Sequence, residues 1–221
     1  MKQKLKVIVT GATGMVGEGV THVCLNHPDI EQVLIINRKP SGITHPKLKE
    51  IIHADFYDLT PIENQLNGYN ACFFCLGASS VGMNEKDYYK VTYTLTNNFA
   101  QTLAKQNPEM TFCYVSGAST DSTEKGKLMW ARVKGKTEND LTKIFKHAYN
   151  FRPGIMEPIK GMKNTLKLYT YMGWLIPIIR FIAPKSVCKL EDVGNAMINI
   201  SQKGFNKQVL EVRDILEASK K

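Results

Sequence analysis

The chain reads as an α/β protein built on a parallel sheet of βαβ units. Three observations predict this. Short apolar runs alternate with stretches of helical spacing from the N-terminus to Gly154. The runs are continuously apolar, as strands buried on both faces of a sheet are. A length of 221 residues with 43% hydrophobic content suits a single domain, 1–221, with a sizeable core and a small appended segment.

The elements follow in order. "LKVIV" is a first strand, and Met15 to Leu25 carries helical spacing behind it. "QVLII" and "LKEIIH" read as the second and third strands, and "NACFFCL" as the fourth. A long helical stretch, Tyr88 to Lys105, separates it from "EMTFCYV". A second, Lys127 to Phe145, leads to "HAYNF", which Pro153 and Gly154 terminate. The segment of about 155–190 is apolar, basic and irregular, and reads as a cap over a site. In "LEDVGNAMINISQK" the residues Val193, Ala196, Met197 and Ile200 recur at helical spacing. There is no internal repeat, low-complexity tract or long linker.

The opening "MKQKLKVIVT" has too short an apolar run for a signal-peptide core. The longest apolar cluster, "YMGWLIPIIRFIAP", is broken by Gly173, Pro177 and Arg180 and falls short of the ~20 apolar residues of a membrane span. A cytoplasmic, soluble protein is expected, with peripheral membrane contact left open. Of the five cysteines, Cys72 and Cys75 form a "CFFC" inside a strand. Residues three apart on a strand point oppositely, so these read as core thiols and not a redox pair. The net charge is +9. A lysine-rich solvated surface accounts for it. The cluster Lys125, Lys127, Arg132, Lys134 and Lys136 would also attract an anionic cofactor, substrate or headgroup. No nucleic-acid-binding motif accompanies the charge, so no nucleic-acid partner is expected, and no metal site is. The partner is a small-molecule substrate or another protein.

"VIVTGATGMVGEGV" carries the chemistry. Gly11, Gly14 and Gly17 form G-x-x-G-x-x-G between a strand and a helix. In a dinucleotide fold the first glycine permits a tight turn, the second lets backbone approach pyrophosphate, and the third allows close helix–strand packing. The helix N-terminus supplies free N–H groups and a partial positive charge. A P-loop is excluded, because no Gly-Lys-Ser/Thr ends the motif. An acid at the tip of the second strand would favour NAD. This chain has Asn37, Arg38 and Lys39 there, and a guanidinium can bind a 2′-phosphate, so NADP is expected ahead of NAD.

With this loop, "HADF" after the third strand, "CLGAS" after the fourth, "YVSGAS" after the fifth and "RVKGKTE" on the next helix, the chain resembles the atypical short-chain dehydrogenase/reductases. "CLG", the lysine helix and "FRPG" are most similar to the Tat-interacting-protein type of oxidoreductase. The likeness covers most of the chain and is weakest from Ile155 to Lys185. It implies a doubly wound Rossmann sheet ordered 3-2-1-4-5-6, with room for a seventh strand around "QVLEV". It further implies that Thr10, Gly11, Thr13, Gly14, Met15, Val16 and Gly17 hold the pyrophosphate. Asp55 would bind the adenine amine beside Phe56, and Leu76 and Gly77 would pass the adenosine. Ser116 would polarise substrate, Lys134 would hold the nicotinamide ribose, and Pro153 and Gly154 would turn beside the nicotinamide. Asp55 as a helix cap, Ser116 as a turn residue and Lys134 as a surface lysine are the alternatives.

The chain departs from that pattern at Trp130, where the family's tyrosine stands. An indole N–H donates a hydrogen bond but has no usable acidity. Thr92 falls where the family often has an asparagine. Tyr114, which shares a strand face with Ser116, and His147 are the nearest replacements, the one reading better as core and the other as a strand start. The expectation is an NADP(H)-binding oxidoreductase whose acceptor needs no tyrosine acid, a flavin or quinone, with Trp130 as a flat wall of the pocket. The alternative is a non-catalytic NADP(H)-binding sensor or assembly protein. A sugar epimerase or dehydratase fits least, since both chemistries use the missing tyrosine.

Overall fold

β-branched and aromatic runs suit a pleated, buried strand better than a helix. In the computed structural model, which describes residues 4–165, 176, 179, 182–183 and 186–220, the runs that the sequence reads as strands are strands. The strands are β1 (Leu5–Thr10), β2 (Ile30–Asn37), β3 (Leu48–Ile52), β4 (Ala71–Phe74), β5 (Thr111–Val115), β6 (His147–Arg152), β7 (Ile155–Glu157), β8 (Val187–Lys189) and β9 (Val209–Glu211). Between them lie the helices α1 (Met15–Asn26), α2 (Glu85–Tyr89), α3 (Leu95–Gln106), α4 (Met129–Ile144), α5 (Leu190–Lys203) and α6 (Val212–Ala218).

Seven strands form one sheet in the order β3-β2-β1-β4-β5-β6-β9. Every neighbouring pair is parallel. This is the expected Rossmann order, and the seventh strand falls within "QVLEV". β7 and β8 form a separate parallel ribbon.

The alternation of side chains divides the core in two. Val7, Val9, Ile35, Phe73 and Phe151 face α1, α5 and α6, whose Val20, Val193, Met197 and Ile215 cover them. Ile8, Leu34, Ile36, Phe74 and Phe112 face α3 and α4, covered by Phe99, Leu103 and Leu141. Cys72 lies in the second cluster and Cys75 packs against the first, so the "CFFC" thiols point to opposite faces. Burial raises both thiols above the ordinary cysteine value, Cys75 to about 12. They are core, not a redox pair.

The long helix expected from Tyr88 to Lys105 is interrupted. A π-turn, Lys90–Thr94, joins α2 to α3. Of the expected cap, about 155–190, residues 166–175, 177–178, 180–181 and 184–185 lie outside the described residues. Its approach is anchored. Glu18, in the first turn of α1, accepts the backbone N–H groups of Lys163 and Asn164, each at 2.7 Å. Among the described residues, no helix is long and apolar enough to cross a membrane.

Candidate functional site

The glycine loop leaves the carboxyl end of β1 and enters α1. Gly11 has φ of 71°, which side chains rarely adopt. A Cβ there would lie 2.9 Å from the Cys75 carbonyl oxygen and the Leu76 nitrogen. A Cβ on Gly17 would lie 2.1 Å from the Gly11 carbonyl oxygen. Both glycines are therefore demanded by the fold. Gly14 differs: a Cβ there meets only the Gly11 carbonyl oxygen, at an ordinary 3.5 Å. It is exposed beside Thr13, and as N-cap of α1 it brings no side chain to the first-turn N–H groups. Met15 and Gly17 are buried and Val16 half-buried, so that turn offers backbone rather than side chains. Thr10 is fully buried and accepts the Leu76 N–H on Oγ1 at 3.2 Å, tying the loop to the segment after β4.

Beside the loop, the segments after β2, β3 and β4 enclose a cleft of about 380 Å³. Arg38, Ala54, Asp55, Phe56, Tyr57, Leu76, Gly77, Ala78, Val91 and Leu95 line it. Its place is the carboxyl edge of the sheet, where the strand order reverses between β1 and β4. Ligands of open α/β sheets bind at such a switch point. Five of the expected cofactor residues thus share one cleft: Arg38, Asp55, Phe56, Leu76 and Gly77. Arg38 is exposed. Asp55 accepts the Tyr57 N–H on Oδ1 at 2.8 Å, a local turn and not a helix cap. Phe56 stacks on Phe99 at 6.0 Å, which fixes that wall to the core. Nothing would meet a Cβ on Gly77 within 4 Å, so no fold contact requires that glycine. Asn37 stands at the same strand end, but its amide donates to Glu50 Oε1 at 3.0 Å. Asn37 is 3% exposed, so it shapes the strand end rather than facing the cleft.

The third group of expected residues gathers at the end of β5. Lys134 donates to the Ser116 carbonyl oxygen. Burial pushes the Lys134 ammonium below the usual lysine value, and the Glu138 carboxylate opposes that shift. Ser116 is 3% exposed, and its hydroxyl is held by Glu138 Oε1 at 2.5 Å and the Phe151 carbonyl oxygen at 3.0 Å. That differs from a serine offered to substrate: here the hydroxyl is engaged by a buried carboxylate. Glu138 is 1% exposed and grips Arg152 with both oxygens, at 3.0 Å from Nε and 2.5 Å from Nη2. Arg152 also reaches Ser122 Oγ at 2.5 Å and Glu211 at 3.3 Å. Trp130 is half-buried in the first turn of α4, one turn before Lys134. Pro153 is buried, and its carbonyl accepts the Ala118 N–H at 3.0 Å. A Cβ on Gly154 would meet the Ser186 carbonyl oxygen at 2.4 Å, so this glycine has a packing reason of its own.

Neither replacement acid is offered. Tyr114 is 2% exposed, and burial pushes its phenol far above the ordinary tyrosine value. His147 begins β6. Thr92 lies buried in the π-turn, beside the Tyr88 phenol. The basic cluster is partly internal: Arg132 binds Glu85 at 2.8 Å and Lys136 binds Asp140 at 2.9 Å, while Lys125 and Lys127 are exposed. Among the described residues no group of His, Cys, Asp and Glu is arranged to hold a metal ion.

A Rossmann sheet with this loop and cleft defines an NAD(P)-binding protein of the short-chain dehydrogenase/reductase superfamily. The chain belongs to the NAD dependent epimerase/dehydratase family, whose profile matches residues 7–127. It is 23% identical over 218 residues to the mitochondrial protein FMP52 of Candida albicans, covering 93% of this chain and 91% of that one. Two solved structures share the fold. ADP-L-glycero-D-manno-heptose-6-epimerase of Helicobacter pylori matches with a TM-score of 0.67 at 14% identity, over 99% of this chain and 82% of that one. WbmF of Bordetella bronchiseptica, in complex with NAD+, matches with a TM-score of 0.67 at 14% identity, over 97% and 77%.

Sequence reasoning missed the Glu138–Arg152 pair. The signals were a glutamate four residues after Lys134 and an arginine at the end of β6, but neither spacing reveals a partner across the fold. It also missed Tyr57, Val91 and Leu95 as cleft walls, the last two because they stand on a helix that the sequence shows only as amphipathic.

Proposed function

We propose that the chain binds NADP(H) along the carboxyl edge of its sheet and passes hydride to an acceptor that needs no tyrosine acid, a flavin or quinone. The observation that carries this is the pair of glycines, Gly14 and Gly77, that no fold contact demands and that stand at the loop and the cleft. Space is kept there for something other than the protein. Bound NADPH supplies the hydride. Gly14, Met15 and Val16 would present backbone N–H groups to its pyrophosphate. Asp55, whose Oδ1 accepts the Tyr57 N–H, would accept from the adenine amine. Arg38 would pair with the 2′-phosphate. Lys134 would hold the nicotinamide ribose, and Trp130 would wall the acceptor pocket. The same reading takes 1–221 as one domain, with 155–190 as its substrate segment, in the cytoplasm. Fractionation of cells decides the last point, since FMP52 carries a mitochondrial name.

Arg38→Ala should weaken NADPH binding by about 1.5 to 3 kcal/mol, the worth of a charge-assisted hydrogen bond, and NADH binding far less. Calorimetry with both cofactors checks this, and equal losses would refute the assignment. Turnover is tested by following NADPH absorbance against flavins, quinones and aldehydes. Binding without turnover selects a second reading, a non-catalytic NADP(H)-binding protein. The engaged Ser116 hydroxyl favours that reading over carbonyl chemistry.

A further inference from the structure

The Glu138 carboxylate is almost fully buried, yet it touches neither the cleft nor the glycine loop. It sits between two residues of the candidate site. One oxygen holds the Ser116 hydroxyl, and the carbonyl of that same serine holds the Lys134 ammonium. Lys134 precedes Glu138 by one helical turn, on the same face of α4. Ser116 is thus clamped from both ends by one helix. We propose that Glu138 is a positioning residue for Lys134, holding both the residue on which its ammonium rests and the positive charge it carries. The inference rests on the reading of Lys134 as the cofactor-ribose residue.

The charges at this junction are few. Lys134 and Glu138 come from α4, Arg152 from β6 and Tyr114 from β5, with Tyr88 of α2 next to Tyr114. Glu211 of β9 reaches Arg152 and caps the last helix. Burial works against the charged form of Lys134, and Glu138 is the group whose charge favours it. A buried lysine that lost that carboxylate would shed its proton at a lower pH. A neutral amine keeps the shape of the site but not the field or the third N–H donor that two ribose hydroxyls would meet.

The test uses Glu138→Gln, which keeps the shape and an acceptor for Ser116 but removes the charge. Proteins are grown with 13C-labelled lysine, and the Lys134 resonance is assigned by its loss in Lys134→Arg. In the cofactor-free protein its titration midpoint should fall by at least about one pH unit, a tenfold loss of proton affinity. NADPH affinity should then weaken about tenfold as pH rises through the new midpoint, while the parent changes little over that range. A purely structural role would lower stability and affinity alike at every pH. If Glu138→Gln does not fold, Glu138→Gln with Arg152→Gln replaces the ion pair by a neutral amide pair and should show a midpoint still lowered but by less, since a repelling positive charge is removed with the carboxylate. A folded variant whose Lys134 midpoint stays at the parent value overturns the proposal. A lowered midpoint in a protein that binds no NADPH at any pH upholds the coupling of Glu138 to Lys134 and overturns the cofactor reading instead.

Discussion

One methyl group separates the duties of two glycines three residues apart. Gly17→Ala drives a Cβ against the Gly11 carbonyl, and should destabilise the fold by about 1 to 3 kcal/mol, as overpacking does. Gly14→Ala meets only ordinary contact, so its melting temperature should stay at the parent value while NADPH binding is lost. Thermal unfolding and calorimetry on both variants check the pair, and a destabilised Gly14→Ala would show that the loop needs that glycine for folding alone. Lys134→Ala should weaken NADPH binding, whereas Trp130→Phe should leave it intact. Trp130→Tyr restores a phenol one turn before the lysine and should create carbonyl reduction that the parent lacks, read as aldehyde-dependent loss of NADPH absorbance. At this scale the sequence was legible where a residue's place is set locally. Gly11, Asp55, Leu76 and Gly77 follow strand ends, and strand ends can be counted. Asn37 and Ser116 were legible in place but not in orientation. Their partners, Glu50 and Glu138, come from other elements, and one chain of letters does not show which side chains a fold brings face to face.

Helix α4 shows how an element can be read almost whole and still hide its electrostatics. It was expected from Lys127 to Phe145 and runs from Met129 to Ile144. Its basic stripe suggested a field for anions, yet Asp140 gathers two of its lysines. Burial would raise the Asp140 carboxyl, but Lys143, Lys136 and Tyr93 outweigh it and hold the group near 2, below its ordinary 3.8. The folded pKa is depressed, so the stabilising effect is present above about pH 4 and is lost as pH falls through about 2. Urea unfolding should find Asp140→Asn less stable than the parent at pH 7, and the difference should vanish near pH 2. A constant difference across that range would assign the effect to shape instead of charge. The π-turn before α3 was invisible in the sequence, because one extra residue in a turn barely disturbs the spacing of apolar positions. It sets Val91 and Leu95 against the cleft.

Across the whole molecule the sheet separates two apolar layers, and the thiols report on both. Cys24, Cys113 and Cys188 are buried with the α1 side or the strands facing it, and Cys72 with the α3 side. A thiol reagent should therefore label at most Cys75 in the native protein and all five cysteines together on unfolding, which timed labelling in urea will show. Early labelling of Cys72 alone would mean that the two layers open separately. The strand order was legible from alternation and the glycine loop. The ribbon of β7 and β8 was not, since three-residue strands carry no pattern, and that ribbon has a consequence for descent. It brings Ile155–Glu157 alongside Val187–Lys189, so the chain departs from the sheet and returns at one fastened place. What lies between can be lengthened, shortened or exchanged at small entropic cost, because closing a longer loop becomes only slowly harder. The fold is thus built like a socket with a replaceable fitting: the sheet can stay fixed while one cassette is exchanged.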